Sequence, residues 1–252
     1  MRAYGLIGHP LGHSFSKGYF NERFEREGLD CHYENYDLEH ISLIDSLLKE
    51  HPNLKGFNVT VPYKEAILPY LMGYEESVSE IKAVNTVKVL EAGMMLGYNT
   101  DVIGFKALLE ASGFEGGAAL ILGTGGASKA VQYVLRKKNI DYHLVSRDHL
   151  KGNFTYDSLT SEIIEKHPLI INATPLGTYP KVEEAPLLPY EALSHRNTLI
   201  DLVYNPSETA LLRRGKRQGA KTLNGLAMLH AQAEASWKIW NDSLKNNIQI
   251  WK

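Results

Sequence analysis

Lys64 and Asp101 are the two side chains of the first half best suited to pass a proton to and from a bound molecule. Three clusters of hydroxyls and amides accompany them. The first is Gly8-His9-Pro10-Leu11-Gly12-His13-Ser14-Phe15-Ser16, and the second is Phe57-Asn58-Val59-Thr60-Val61-Pro62-Tyr63-Lys64. The third is Ala83-Val84-Asn85-Thr86, continued by Gly97-Tyr98-Asn99-Thr100-Asp101. Each follows or flanks a short apolar run, so all three are expected at one sheet edge. Such a set can read a polyhydroxylated ligand by hydrogen bonds and supply a proton. Ketone reduction needs that proton, together with a hydride from a nicotinamide. The plainer reading is loop chemistry, with Ser14 or Ser16 capping a helix. Metal chemistry is disfavoured: His9 and His13 are separated by Pro10 and Gly12, which break the helix that would align them, and no H-E-x-x-H occurs.

The second half carries a different device. Leu120-Ile121-Leu122 leads into Gly123-Thr124-Gly125-Gly126-Ala127-Ser128, and Ala130, Val131, Val134 and Leu135 then share one helical face. Strand, glycines and helix in that order make a pyrophosphate site. Gly123 permits the tight turn, Gly125 admits the phosphates, and the helix N-terminus offers unpaired N–H groups. About 20 residues on, where NAD-binding proteins carry an acid for the ribose, stands Ser146-Arg147-Asp148. A guanidinium there suits a 2′-phosphate, with Lys151 as a second charge, so NADP is expected. Asp148 keeps NAD open as the weaker option. Asn172 and Thr174 follow another apolar run and read equally well as site residues or as turn formers.

Short apolar runs alternating with helical-period segments position these groups, the pattern of parallel α/β sheets. Strands are expected at 3–8, 31–37, 56–60, 119–122, 142–146, 169–173, 199–203 and 221–223, and a hairpin at 83–90 and 94–98 turning at 91–93. Helices are expected at 16–27, 41–49 and 102–112, with a long final helix over 226–252. The boundary between halves falls near residue 102. Composition sets limits on the partner. The 252 residues are 44% hydrophobic and 22% charged, ordinary for a globular chain, and a net charge of -2 gives no field for nucleic acid. Cys31 is the only cysteine, which excludes an internal disulfide. No apolar run suits a signal peptide or a membrane span, so the cytoplasm is the default expectation.

The run Asn58-Val59-Thr60-Val61-Pro62-Tyr63-Lys64 resembles the N-V-T-x-P-x-K signature of shikimate dehydrogenases. The other segments quoted above follow in the family's order, with Asn172-Ala173-Thr174, Asp201-Leu202-Val203-Tyr204-Asn205-Pro206 and Gly225-Leu226-Ala227-Met228-Leu229 plus Gln232 closing the series. The resemblance spans nearly the whole chain. It implies an α/β protein with an N-terminal α/β substrate domain (1–102, joined by helices of 226–252) and a Rossmann-type dinucleotide-binding domain (103–225). It implies NADP-linked interconversion of 3-dehydroshikimate and shikimate by a monomer or homodimer. Lys64 and Asp101 would be catalytic. Ser14 and Ser16 would hold the substrate carboxylate, with the substrate-binding Tyr204 nearby, and Thr60, Asn85 and Gln232, with Asp101, the ring hydroxyls. Gly123, Gly125, Gly126, Ala127, Ser146, Arg147, Lys151, Thr174, Gly225 and Met228 would hold the cofactor. Phe15, Tyr63 and Asp148 depart from the family's usual residues, and Tyr63 is expected to add a hydroxyl to the site wall. A quinate-oxidising, NAD-using enzyme or a non-catalytic metabolite sensor of the same fold are the alternatives.

Overall fold

The computed structural model describes residues 1–12 and 14–242, and the backbone of 248–250. His13 lies outside the described residues. The chain divides into two compact units, one of residues 1–100 with 233–252 and one of 101–232. No helix among the described residues is long and apolar enough to cross a membrane.

The first unit begins β1 (Arg2–Gly8), α1 (Phe15–Arg26), β2 (Cys31–Asp37), α2 (Ile44–Glu50) and β3 (Leu54–Val59). It continues with α3 (Tyr63–Ala66), β4 (Gly73–Glu75), α4 (Glu76–Ile81), β5 (Thr86–Val89) and β6 (Met95–Tyr98). The second unit holds α5 (Asp101–Ser112), β7 (Ala119–Leu122), α6 (Gly126–Lys137), β8 (Tyr142–Ser146), β9 (Phe154–Thr155) and α7 (Ser161–Lys166). It is completed by β10 (Leu169–Asn172), β11 (Thr198–Asp201), α8 (Ala210–Arg217) and β12 (Lys221–Leu223). Last come α9 (Leu226–Asn241), whose residues fall in both units, and β13 (Ile248–Ile250).

The first sheet has the order β13-β4-β6-β5-β3-β1-β2. β1 is parallel to β2 and β3, while β5 runs antiparallel to both β3 and β6. The carboxyl ends of β1, β3 and β6 and the start of β5 therefore share one edge. One face of this sheet buries Ile7, Phe57, Val59, Ile67 and Val87. An aromatic cluster of Tyr4, Phe20, Phe24, Tyr33 and Trp240 forms a separate core. Each large ring buried there contributes roughly 4–6 kcal/mol of apolar area, before conformational entropy is charged against it. Gly56 is required for this packing, because a Cβ would lie 2.2 Å from the Trp240 ring. The indole N–H of Trp240 donates to the Val87 carbonyl at 2.9 Å.

The second sheet, β12-β11-β10-β7-β8-β9, is parallel throughout. Its central strands β7, β10 and β11 are buried along their whole length and read as nearly unbroken apolar runs, because both faces are covered. Phe105, Leu108, Val131, Val134 and Leu135 lie in one core cluster with Ile121 and Ile171, and Leu211 and Leu212 lie in a second with Leu120 and Leu199. Chain order runs outward from β7 through β8 to β9, then restarts at β10 on the other side. That reversal opens a crevice at the carboxyl ends of β7 and β10.

The structure corrects the expected final helix. α9 stops at Asn241, and residues 248–250 form a strand antiparallel to β4, pairing Ile248 with Glu75 and Ile250 with Gly73. The remainder of that expectation, 243–247 and 251–252, lies outside the described residues. The termination has a physical cause. Asn241 Nδ2 donates to the Trp237 carbonyl at 2.8 Å, Lys88 Nζ donates to the Ile239 carbonyl at 2.9 Å, and Lys88 Nζ also reaches the Asp242 carbonyl. The Lys88 ammonium thus satisfies the Ile239 carbonyl, which a further helical turn would have used. The three-residue strands β4 and β13 escape periodicity reading because three residues carry no measurable period.

Candidate active site and cofactor cavity

In the first unit the polar clusters meet at the shared edge, as the spacing predicts. Ser14 caps α1, its Oγ accepting from the Lys17 N–H at 3.4 Å. That use consumes a lone pair and leaves the hydroxyl proton for another acceptor. Ser16 lies in the first turn of α1 and hydrogen-bonds the buried Tyr33 hydroxyl, whose pKa burial drives far above its usual value. Tyr33 in turn donates to Asn58 Oδ1 at 2.9 Å. Asn58 Nδ2 reaches the Asn85 carbonyl at 3.2 Å, Thr86 Oγ1 at 3.1 Å and Ser236 Oγ at 3.0 Å. This buried network ties α1, β2, β3, β5 and α9 together beneath the edge. Sequence reading missed its organising role. A polar residue at the inward position of an otherwise apolar strand was the available signal.

Thr60 follows β3 and is held through its backbone, its N–H donating to the Ile7 carbonyl at 2.9 Å. Asn85 is 2% exposed; its Oδ1 accepts from the Thr100 N–H at 2.7 Å and the Thr100 hydroxyl at 3.1 Å. Its carbonyl side is thereby committed to this loop. Lys64 is half-buried on the single turn α3, and its carbonyl accepts from the Val84 N–H at 2.7 Å. Tyr63 does not extend the site wall as expected. Its hydroxyl turns inward and donates to the Leu38 carbonyl at 2.6 Å, pinning α3 beyond the end of β2. Across the same edge, His9 Nδ1 and Asp37 Oδ1 are 2.6 Å apart, and the Leu11 N–H donates to Asp37 Oδ2 at 3.1 Å. These bonds hold the pKa of Asp37 down, the one from His9 most strongly.

In the second unit a cavity of about 640 Å³ opens at the reversal of strand order. Gly123, Thr124, Gly125, Ser146, Arg147, Asp148, Lys151 and Thr174 line it, with Tyr156, Ala173, Pro175 and Leu176. Gly123 has φ +101, and a Cβ there would lie 2.8 Å from Thr174 Cγ2, so only glycine fits. Gly125 has ordinary φ (−77), and a Cβ on it would meet no protein atom within 4 Å. Gly126 and Ala127 form the first turn of α6, whose N–H groups face the glycine loop side of the helix. Ser128, fully buried, accepts from Gln132 Nε2 at 3.2 Å and supplies the small contact that the third glycine of the motif commonly makes.

Arg147 is exposed at the end of β8, and its guanidinium makes no hydrogen bond to another described residue. Asp148 is engaged otherwise. Its Oδ1 accepts from the Leu150 N–H at 3.0 Å, and its Oδ2 lies 3.6 Å from Lys151 Nζ. Ser146 Oγ accepts from the Asp148 N–H at 3.1 Å, shaping the turn that presents Arg147. Tyr156, which sequence reading did not single out, also lines the cavity. Burial raises its pKa, and the nearby Arg147 charge opposes that rise.

Thr174 lines the cavity, and its methyl group lies against Gly123. Its hydroxyl donates to Asn172 Oδ1 at 2.6 Å and accepts from the Leu176 N–H at 3.3 Å. Asn172 is oriented by Asp201, whose Oδ1 accepts from Asn172 Nδ2 at 2.8 Å and whose Oδ2 accepts from Thr209 Oγ1 at 2.5 Å. Asp201 is fully buried, and desolvation raises its pKa against those bonds. Gly225 and Met228 lie outside the lining. A Cβ on Gly225 would stand 2.2 Å from the Leu202 carbonyl oxygen, and Met228 packs in the apolar core over Gly104. Tyr204 follows β11, 37% exposed, with its pKa raised by partial burial. Gln232 stands four residues beyond Met228 on the same face of α9. Asp101 is buried as the first residue of α5.

A parallel sheet of reversed order with a glycine turn and a basic residue beyond its second strand defines the second unit as a Rossmann-type dinucleotide-binding fold. The model of the shikimate dehydrogenase substrate binding domain matches residues 6–87, which lie in the first unit. Shikimate dehydrogenase (NADP(+)) of Methanosphaera stadtmanae is 36% identical over 259 residues, covering 94% of this chain and 90% of that protein. The enzyme of the same description from Methanococcus maripaludis is 37% identical over 265 residues, covering 98% and 94%. Among solved structures, shikimate 5-dehydrogenase from Thermus thermophilus in complex with NADP(H) and shikimate superposes with a TM-score of 0.85 at 32% identity, covering 98% of this chain and 96% of that one. The chain belongs to the shikimate dehydrogenase family.

Proposed function

We propose that this chain catalyses the reversible, NADP-linked interconversion of 3-dehydroshikimate and shikimate in the cytoplasm, as a step toward aromatic amino acids. The first unit is the substrate domain of this reading and the second the cofactor domain. The observation that carries it is the cavity at the strand-order reversal, which fits an NADP phosphate ester in three respects. Gly125 leaves room for a close approach, α6 offers its N-terminal N–H groups, and Arg147 presents a guanidinium with no hydrogen bond to a described residue. The NAD-using alternative is less favoured because Asp148, the acid it needs, already accepts from the Leu150 N–H.

When bound, the nicotinamide supplies the hydride to the carbonyl carbon and takes it back from the alcohol. The protein's own work is to bind, orient and move one proton. Lys64 donates it to the carbonyl oxygen in reduction and accepts it from the hydroxyl in oxidation. Ser14, Ser16 and Tyr204 hold the carboxylate of the substrate. Thr60, Asn85, Asp101 and Gln232 hold the ring hydroxyls, and Asp101 is the catalytic partner of Lys64 in this reading. Ser146, Arg147 and Lys151 grip the ribose phosphate, and Gly123, Gly125, Gly126, Ala127 and the Thr174 methyl shape the pyrophosphate floor. Gly225 and Met228 contribute through packing.

The test is shikimate oxidation followed as NADPH absorbance for wild type and Lys64→Ala. A positioned general acid or base is worth roughly 10²–10⁴-fold. The variant should lose turnover on that scale while its KM for shikimate changes far less. Near-normal turnover in Lys64→Ala refutes the role of Lys64, and no turnover in the wild type alongside tight NADP binding favours a sensor.

A further inference from the structure

We infer that Asn99 positions Lys64 through the single peptide group joining Ala83 to Val84. The inference rests on the reading of Lys64 as proton donor. Asn99 Nδ2 donates to the Ala83 carbonyl at 2.8 Å. The Val84 N–H donates to the Lys64 carbonyl at 2.7 Å. That carbonyl and that N–H belong to one planar amide, so a rotation at either end is a rotation at both. α3 spans only Tyr63–Ala66, so the Lys64 carbonyl takes the Val84 N–H where a longer helix would use a donor four residues on. The position of Lys64 on its turn is therefore set from outside the helix, by a peptide that Asn99 holds.

The chemistry of Asn99 supports this duty. The residue is 2% exposed, and its Oδ1 has no hydrogen-bond partner among the described residues. Burying an unpaired carbonyl oxygen opposes folding, so packing alone would favour an apolar side chain of this size. The donor half of the amide is what such a replacement would lose. The neighbouring Asn85 is pinned independently: its N–H donates to the Tyr98 carbonyl at 3.1 Å, and its carbonyl accepts from the Val59 N–H at 2.9 Å. Loosening the Ala83–Val84 peptide should therefore disturb the proton donor and spare the substrate contact beside it.

The experiment compares Asn99→Leu, Asn99→Ser and Lys64→Ala with wild type in shikimate oxidation, alongside hydrogen exchange of the Val84 amide. Asn99→Leu removes the unpaired oxygen but leaves the buried Ala83 carbonyl without its donor, so the two effects offset and the thermal midpoint should change little. Its kcat should fall roughly 10- to 100-fold, the scale of a displacement near 1 Å, with the shikimate KM within about threefold. The basic limb of its kcat profile should shift, and Asn99→Ser, retaining a short donor, should recover part of the loss. The Val84 amide should be protected in wild type and exposed in Asn99→Leu. A kcat within about twofold of wild type, or a fall in kcat that comes with a large rise in KM and a collapse of the thermal midpoint, overturns the inference. Should Asn99→Leu not fold, the serine variant and the wild-type exchange decide, and a Val84 amide exchanging like an open loop overturns it. If Lys64→Ala keeps its turnover, the underlying reading fails and the inference with it, while Val84 protection would still report the clamp separately.

Discussion

Two glycines two residues apart should respond to the same substitution in opposite ways. At Gly123, alanine must adopt φ +101 and place its Cβ 2.8 Å from Thr174 Cγ2 and 3.3 Å from the Ala173 carbonyl. The backbone strain costs about 1–3 kcal/mol and the overpacking about 1–3 kcal/mol more. The sum, roughly 2–6 kcal/mol, lowers the thermal midpoint by at least about 4 °C for a chain of this length. At Gly125, φ is −77 and no protein atom lies within 4 Å of the new Cβ. Stability should hold, or rise by roughly 0.4–1 kcal/mol through a stiffer unfolded chain. The methyl then occupies space the pyrophosphate needs. A clash of about 1–3 kcal/mol corresponds to a roughly 5- to 150-fold weaker NADP affinity. Differential scanning calorimetry and NADP titration of both variants check the pair. A Gly123→Ala protein melting with the wild type, or a Gly125→Ala protein binding NADP with unchanged affinity, refutes the assignment of the glycine turn.

Arg147→Ala should raise the KM for NADP by roughly 10- to 100-fold while leaving that for NAD nearly unchanged, since one charged hydrogen-bonding group contributes about 1.5–3 kcal/mol; steady-state kinetics with both cofactors measures it. In the second unit His167, 4% exposed, donates from Nδ1 to the Ile163 carbonyl at 2.6 Å and accepts at Nε2 from His143 Nδ1 at 2.9 Å. Burial above all lowers its pKa below 6.5. As pH falls below about 6.5, the unfolded chain takes up a proton that the folded one refuses, so this stability is complete above that pH and declines below it, by at most about 1.4 kcal/mol per unit. Urea midpoints between about pH 5 and 7 should show that slope in wild type and a smaller one in His167→Gln.

Much of this was legible in the residues. The turn at Gly123 and the helix behind it announce themselves because a buried parallel strand, two glycines and a 3.6-residue period adjoin in a few residues. The edge position of Thr60, Lys64 and Asn85 followed from polar groups placed directly after or before apolar runs. What stayed hidden is direction. Nothing in the sequence says that Tyr63 turns inward to Leu38, that the Thr174 hydroxyl closes its own turn, or that Gly225 serves close packing against Leu202. Those outcomes depend on neighbours brought together by the sheet. The end of α9 was hidden for the same reason, because Lys88, far away in the chain, supplies a donor to its last turn.

The most direct measurement is the initial rate of cofactor reduction with shikimate or quinate, each paired with NADP or NAD. The account predicts that shikimate with NADP is the fastest combination by a wide margin. Faster reduction of NAD by quinate, or no reduction of NADP by shikimate in a folded protein, would contradict it.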